Sequence, residues 1–109
     1  MSFKKENSKE KLKDEKILEI KTQIEYYLGD ENLKTDTFFR QLILSDANGY
    51  LDLDYIMKCN KIKKKGWTKD EIKKGVELSN LVELDKTKEK IRRKNTVKIN
   101  ELKNYIIFY

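Results

Sequence analysis

The chain has 109 residues with one cysteine, no histidine and no proline; 40% of its side chains are charged, 38% are hydrophobic, and the net charge is +6. That length holds one compact core and not a second. A lone cysteine excludes an intrachain disulfide framework and suits a reducing compartment, and no apolar run approaches the roughly 20 residues that span a bilayer. Met1 to Lys16 is charged throughout, without the apolar stretch of a secretory signal. A soluble nuclear or cytoplasmic protein is expected.

In chain order, residues 1–8 are expected as a disordered tail. Ile17, Ile20, Ile24, Tyr27 and Leu28 then recur at helical spacing, predicting one amphipathic helix over about residues 9–28 that ends near Gly29. A second helix is predicted from around Thr35, turning Phe39, Leu42 and Ile43 inward. Ser45 to Gly49 is a turn cluster containing an Asn-Gly pair. Residues 50–53 suit a short strand, with Asp52 or Asp54 capping a helix that runs through Met57. Thr68 and Glu71 fit a capping box launching a helix that buries Ile72, Val76 and either Leu78 or Ser79. Residues 81–84 and 90–93 read as two strands joined by a polar loop over 85–89. Three or more helices closed by a β-hairpin give an α+β, mostly helical plan of winged-helix type.

Charge is distributed unevenly. Residues 17–57 hold three basic and eight acidic side chains, whereas 58–65 hold five lysines and no acid. Residues 86–98 hold seven basic side chains against Glu89 alone. Two basic segments set apart from an acidic stretch suit a polyanionic partner, although either run by itself is what keeps a small domain soluble.

The aromatic side chains sharpen that reading. At about 100° per residue, Tyr26 falls about 180° from Ile17, away from the stripe its own helix buries. Gln23, three residues earlier, shares that side. A tyrosine beside an amide offers a stacking platform and a donor/acceptor pair for a base edge; equally, Tyr26 suits packing against a neighbouring helix or plain exposure. Tyr27 suits the core or its edge. Asp36, near the start of the second helix, has an ordinary role as a cap for free amides. Its alternative role is to accept hydrogen bonds from sugar hydroxyls, which a carboxylate does well only at a terminal ribose.

Gln23-Ile24-Glu25-Tyr26-Tyr27, then Gly29-Asp30-Glu31-Asn32-Leu33, with Asp36 and Phe38 downstream, closely resembles the signature of the La motif. Gly49-Tyr50-Leu51-Asp52-Leu53, Lys58-Cys59-Asn60-Lys61 and Lys90-Ile91-Arg92-Arg93 resemble later segments of that motif, so the likeness covers about residues 11–95. The resemblance implies a winged-helix variant over residues 9–95 that binds RNA ending in uridylates with a free 3′ hydroxyl. It assigns the contacts to Gln23, Tyr26, Tyr27, Asp36, Phe38 and Asn60. Gln23 would read a uracil edge, Tyr26 and Phe38 would stack on terminal bases, and Asp36 would hold the ribose hydroxyls. Asn60 would add a polar contact, and Arg40 and Lys61 would neutralise phosphates.

Three positions depart from the family's usual pattern. Cys59 stands where phenylalanine is usual, so one pocket wall is lost or is supplied by another side chain. Lys34 and Asp52 replace prolines. Lys61 replaces arginine, keeping the charge and losing the planar fork. The apolar stretch over 102–109 resembles the first strand of an RNA recognition motif behind a linker from residue 96; folding back onto the domain is the other reading.

With no histidine, no Gly-rich phosphate loop and no nucleophile–base pair, neither catalysis nor a metal or other cofactor is expected. The expected partner is small RNA with a uridine-rich 3′ end, bound by a monomer in the nucleus or cytoplasm, protected or chaperoned there alone or within a ribonucleoprotein. The alternatives are a module for double-stranded DNA, using Lys69, Lys73 and Lys74 on the helix after Thr68, and a protein-interaction winged helix.

Overall fold

The computed structural model describes residues 2–94, with side chains from Lys13 onward; the linker and strand expected over 96–109 lie outside the described residues. Six helices and three short strands follow one another: α1 (Ser2–Tyr27), α2 (Asp30–Thr35), α3 (Thr37–Ser45), β1 (Leu51–Asp52), α4 (Leu53–Met57), α5 (Asn60–Lys65), α6 (Lys69–Glu77), β2 (Val82–Leu84) and β3 (Lys90–Arg93). The first helix starts at Ser2, several residues before the predicted boundary, because nothing between Ser2 and Tyr27 breaks a helix. Helices α2 and α5 had no counterpart in the predicted elements. Each is six residues long, too short to display a period of its own.

The core is continuous. Ile20, Ile24 and Leu28 from α1 join Leu33, Phe39, Ile43, Leu53, Ile56, Ile62, Ile72, Val76 and Ile91, all buried. The main helix contact is α1 against α6, and it depends on Gly75. A Cβ there would meet Ile20 Cγ2 at 2.7 Å and the Lys21 amide nitrogen at 3.1 Å, so any larger residue pushes the helices apart. On α6, Ser79 is the buried residue just beyond the helix while Leu78 remains 55% exposed. The reason is polar: Ser79 Oγ donates to Glu25 Oε2 (2.7 Å) and accepts from the amides of Leu81 (3.0 Å) and Val82 (3.2 Å).

The local signals landed where the sequence puts them. Thr68 and Glu71 close the capping box at the start of α6. Asp52 caps α4 by accepting from Asp54 N at 2.9 Å. Asp46 Oδ2 accepts from the amides of Asn48 and Tyr50 (3.0 and 2.9 Å), tying the turn that ends at Gly49. The last turn of α5 carries Lys63, Lys64 and Lys65, cations that suit its carbonyl end, and Gly66 terminates it with φ +67°.

The strands form one antiparallel sheet in the order β1-β3-β2. Ile91 faces Leu51 on one side and Leu84 on the other, and Val82 pairs with Arg93. The hairpin is the wing of the winged helix. A partly buried ion pair fastens it to the helices: Arg93 Nη2, on a side chain only 8% exposed, bonds Asp30 Oδ1 at the start of α2. That contact sets the end of the sheet against the α1–α2 corner, where the candidate site begins.

Candidate nucleic-acid interface

Helix α1 delivers two tyrosines to its last turn and then stops, with the Gly29 amide donating to Tyr26 O at 3.1 Å. Tyr26 points outward, 55% exposed, as the helical spacing predicts. Tyr27 sits at the edge of the core, its ring edge-on to Phe39 at 6.0 Å and 6.2 Å from the ring of Tyr26. Gln23 is turned to the Tyr27 hydroxyl, which also has the Cys59 thiol as a hydrogen-bond neighbour. Burial, helped by nearby Cys59, pushes the Tyr27 phenol up to about 12. It is a neutral donor at any physiological pH.

Asp36 occupies the junction of α2 and α3, and its ordinary role is realised. Oδ1 accepts from Phe39 N at 3.0 Å and so caps α3. Oδ2 accepts from Asn32 Nδ2 at 3.3 Å, and the same Nδ2 donates to Tyr27 O at 2.8 Å. Asn32 thus fixes the carboxylate against the end of α1. Each carboxylate oxygen accepts more than one hydrogen bond, so capping does not exhaust Asp36. Burial raises the Cys59 thiol, and the negative charge of Asp36 raises it further. Gln23, Tyr27, Asp36 and Cys59 are therefore close neighbours at the α1–α2–α3 junction, and the half-buried cysteine among them favours its protonated form.

Phe38, 56% exposed, stands on the rim. Its ring is 6.1 Å from Phe39 and 5.6 Å from Tyr55, the latter nearly edge-on at 72°. Lys58 Nζ lies over the Tyr55 ring, 5.5 Å from its centroid. Asn60 and Lys61 are exposed in the first turn of α5, directly after Cys59.

Arg40 corrects the expectation of a phosphate contact. It is 2% exposed, and its Nη1 donates to the carbonyls of Leu33 (2.9 Å) and Lys34 (2.8 Å). Those are among the last carbonyls of α2, which a cation satisfies well. Arg40 clamps α3 to α2 from inside.

Two positioning residues were missing from the sequence-derived site. Asn32 had a local signal, because it stands four residues before Asp36 and so on the same helical face. Tyr55 had none: α4 is five residues long and gives no periodicity from which its direction can be read.

The face built by α6 and the wing differs. Lys69 Nζ bonds Asp54 (2.9 Å) and Glu89 (2.8 Å), and Lys73 Nζ reaches Glu89 at 3.4 Å. Hydrogen bonds to Glu89 and Asp54 hold the Lys69 ammonium well above the ordinary lysine range. Lys88 pairs with Glu77, and Arg92 with Glu83. In the later basic segment Lys88, Arg92 and Arg93 are therefore paired in place. In the earlier one, Lys65 pairs with Glu19, while Lys58, Lys61, Lys63 and Lys64 make no ion pair among the described residues. The described residues also contain no group of three or more side chains able to hold a metal ion, and no helix among them is long and apolar enough to cross a membrane.

The chain matches the family model for the La domain over residues 20–78. It is 35% identical over 98 residues to La-related protein 7 of Rattus norvegicus, an alignment covering 82% of this chain and 17% of that protein. It is 38% identical over 91 residues to Lupus La protein homolog B of Xenopus laevis, covering 82% of this chain and 20% of the relative. The chain thus spans no more than about a fifth of the length of either. In fold it is similar to a solved La autoantigen N-terminal domain, with a TM-score of 0.68 at 19% identity, over 72% of this chain and 86% of that one.

Proposed function

This chain belongs to the La domain family, and from that premise we propose that it binds RNA at a 3′-terminal run of uridylates with a free hydroxyl end. The observation that carries the reading is the cluster at the α1–α2–α3 junction, where exposed Tyr26 and Phe38 stand near a partly buried Asp36. Aromatic faces accept unpaired bases at about 1–3 kcal/mol each. A carboxylate repels phosphate, so its place beside stacking platforms suits the one nucleotide that offers two free hydroxyls, the terminal ribose. Gln23 supplies an amide for a uracil edge, and Asn60 and Lys61 line the approach along α5. Protecting or chaperoning small nuclear transcripts is the role such end recognition would serve.

The duplex-DNA alternative is weakened by the ion pairs on α6. Lys69 and Lys73 would have to leave Glu89 before either could meet a phosphate backbone.

The test is affinity for a short RNA ending in UUU with a 3′ hydroxyl, compared with the same RNA bearing a 3′ phosphate. A strong preference for the hydroxyl end is expected. Equal and steeply salt-dependent binding to both would transfer the interaction to the lysines and sink the proposal.

A further inference from the structure

Resting on that reading, we infer that Tyr55 and Lys58, beside Phe38, form a second nucleotide subsite. It would take the base and phosphate that precede the nucleotides held at the RNA end. Ring contacts run without a break from Tyr26 to Tyr27 (6.2 Å), Phe39 (6.0 Å), Phe38 (6.1 Å) and Tyr55 (5.6 Å). The strip therefore extends beyond the residues around Asp36, onto α4. In α4 the core positions are Leu53 and Ile56, both buried, which leaves Tyr55 only partly covered between them. Phe38 stays with the end-binding site, and the partly exposed Tyr55 ring edge-on beside it is where the preceding base stacks.

Lys58 gives the subsite its charge. Its ammonium lies over the Tyr55 ring, and no carboxylate among the described residues pairs with it. An exposed cation held only by an aromatic face is weakly committed, and phosphate competes for it readily. Cys59, next in the chain, turns its small side chain to the backbone, with Sγ donating to Tyr55 O at 3.6 Å. Stacking surface and free cation thus converge next to the proposed end-binding site. Tyr55 and Lys58 are the residues that make this a property of the present chain.

The experiment measures affinity for oligouridylates of two, three, four and five nucleotides with 3′ hydroxyls, using the wild-type chain and the variants Tyr55→Ala, Tyr55→Phe and Lys58→Gln. Tyr55→Ala is expected to weaken the longer oligomers roughly tenfold while leaving the dinucleotide unchanged. Tyr55→Phe should retain wild-type affinity. Lys58→Gln should flatten the salt dependence of the longer oligomers by about 0.7 in log–log slope. Equal loss at every length, or no loss at any, overturns the subsite. Tyr26→Ala and Asp36→Asn, run in parallel, separate the two readings. If they abolish binding while the Tyr55 variants change nothing, only the subsite fails. If they leave binding intact, or the wild-type chain binds no oligouridylate, the end-recognition reading fails and the subsite falls with it. Near-ultraviolet fluorescence of the buried Trp67 confirms that each variant is folded.

Discussion

Two faces of this domain carry lysines and differ in what the lysines face. On the face formed by α6 and the wing, Lys69, Lys73, Lys88 and Arg92 each lie against a glutamate or aspartate. On α4 and α5, by contrast, the cations Lys58, Lys61, Lys63 and Lys64 make no ion pair among the described residues, and Lys58 lies over the Tyr55 ring, which touches exposed Phe38. Positive charge in the sequence is therefore a poor guide to positive charge on offer. Where carboxylates have closed on the lysines, a polyanion must first displace them. Where an aromatic ring is the neighbour, as at Lys58, no carboxylate has to be displaced.

The largest expected effect comes from cutting the joint between the two faces. Asp30→Ala strands Arg93 with its charge nearly buried, which is expected to cost about 2 kcal/mol. That is below the usual loss for a broken buried pair, because Asp30 is itself 39% exposed. Urea unfolding followed by Trp67 fluorescence measures it, and RNA binding should weaken too, since α2 carries Asn32 and leads into Asp36. A stability loss without any change in binding would mean that the wing does not help to seat the pocket.

On the aromatic face alone, Tyr26→Ala should cost about 1–3 kcal/mol in affinity for a UUU-ended RNA at unchanged stability. Asp36→Asn is the cleaner variant of the carboxylate. Asparagine caps a helix about as well as aspartate, so α3 should keep its stability while discrimination between 3′ hydroxyl and 3′ phosphate ends disappears. Discrimination that survived Asp36→Asn would place hydroxyl recognition elsewhere.

The winged face offers the reverse manipulation. Glu89→Gln takes one carboxylate from Lys69 and Lys73 together. It should barely move the melting temperature, yet create weak, steeply salt-dependent binding to duplex DNA in an electrophoretic shift assay. If the wild-type chain already binds duplex as tightly as this variant, the neutralisation argued for α6 is wrong.

The smallest effect is confined to alkaline pH. Because the Tyr27 phenol is raised above its unfolded value, the folded state holds its proton longer. Its contribution to stability is fully present below pH 10 and is lost as pH rises towards about 12. Absorbance titration of tyrosinate should show one tyrosine ionising late, and Tyr27→Phe should remove that component.

Features that depend on a few adjacent residues were legible in the sequence. The Thr68–Glu71 capping box, the Asp46 turn, the cap at Asp52, the outward Tyr26 and the hairpin closing on β3 are all short-range, set by side chains reaching backbone amides a few positions away or by helical period. The mostly helical winged plan followed from these. Capping by Asp36 was legible in the same way, as the ordinary alternative to a sugar contact.

What only the tertiary structure decided are the choices made between residues far apart along the chain. Ser79 rather than Leu78 turned inward because Glu25, 54 positions away, offered its hydroxyl a partner. Arg93 found Asp30 across 63 positions, and Lys69 found Glu89 across 20. Arg40 went inside because α2, unseen in the sequence, ended where its guanidinium could meet two carbonyls. Local composition states which side chains are charged or aromatic. Whether each is used up or left available depends on the partner that folding brings to it, because a charge or a ring acts on its nearest neighbours in space.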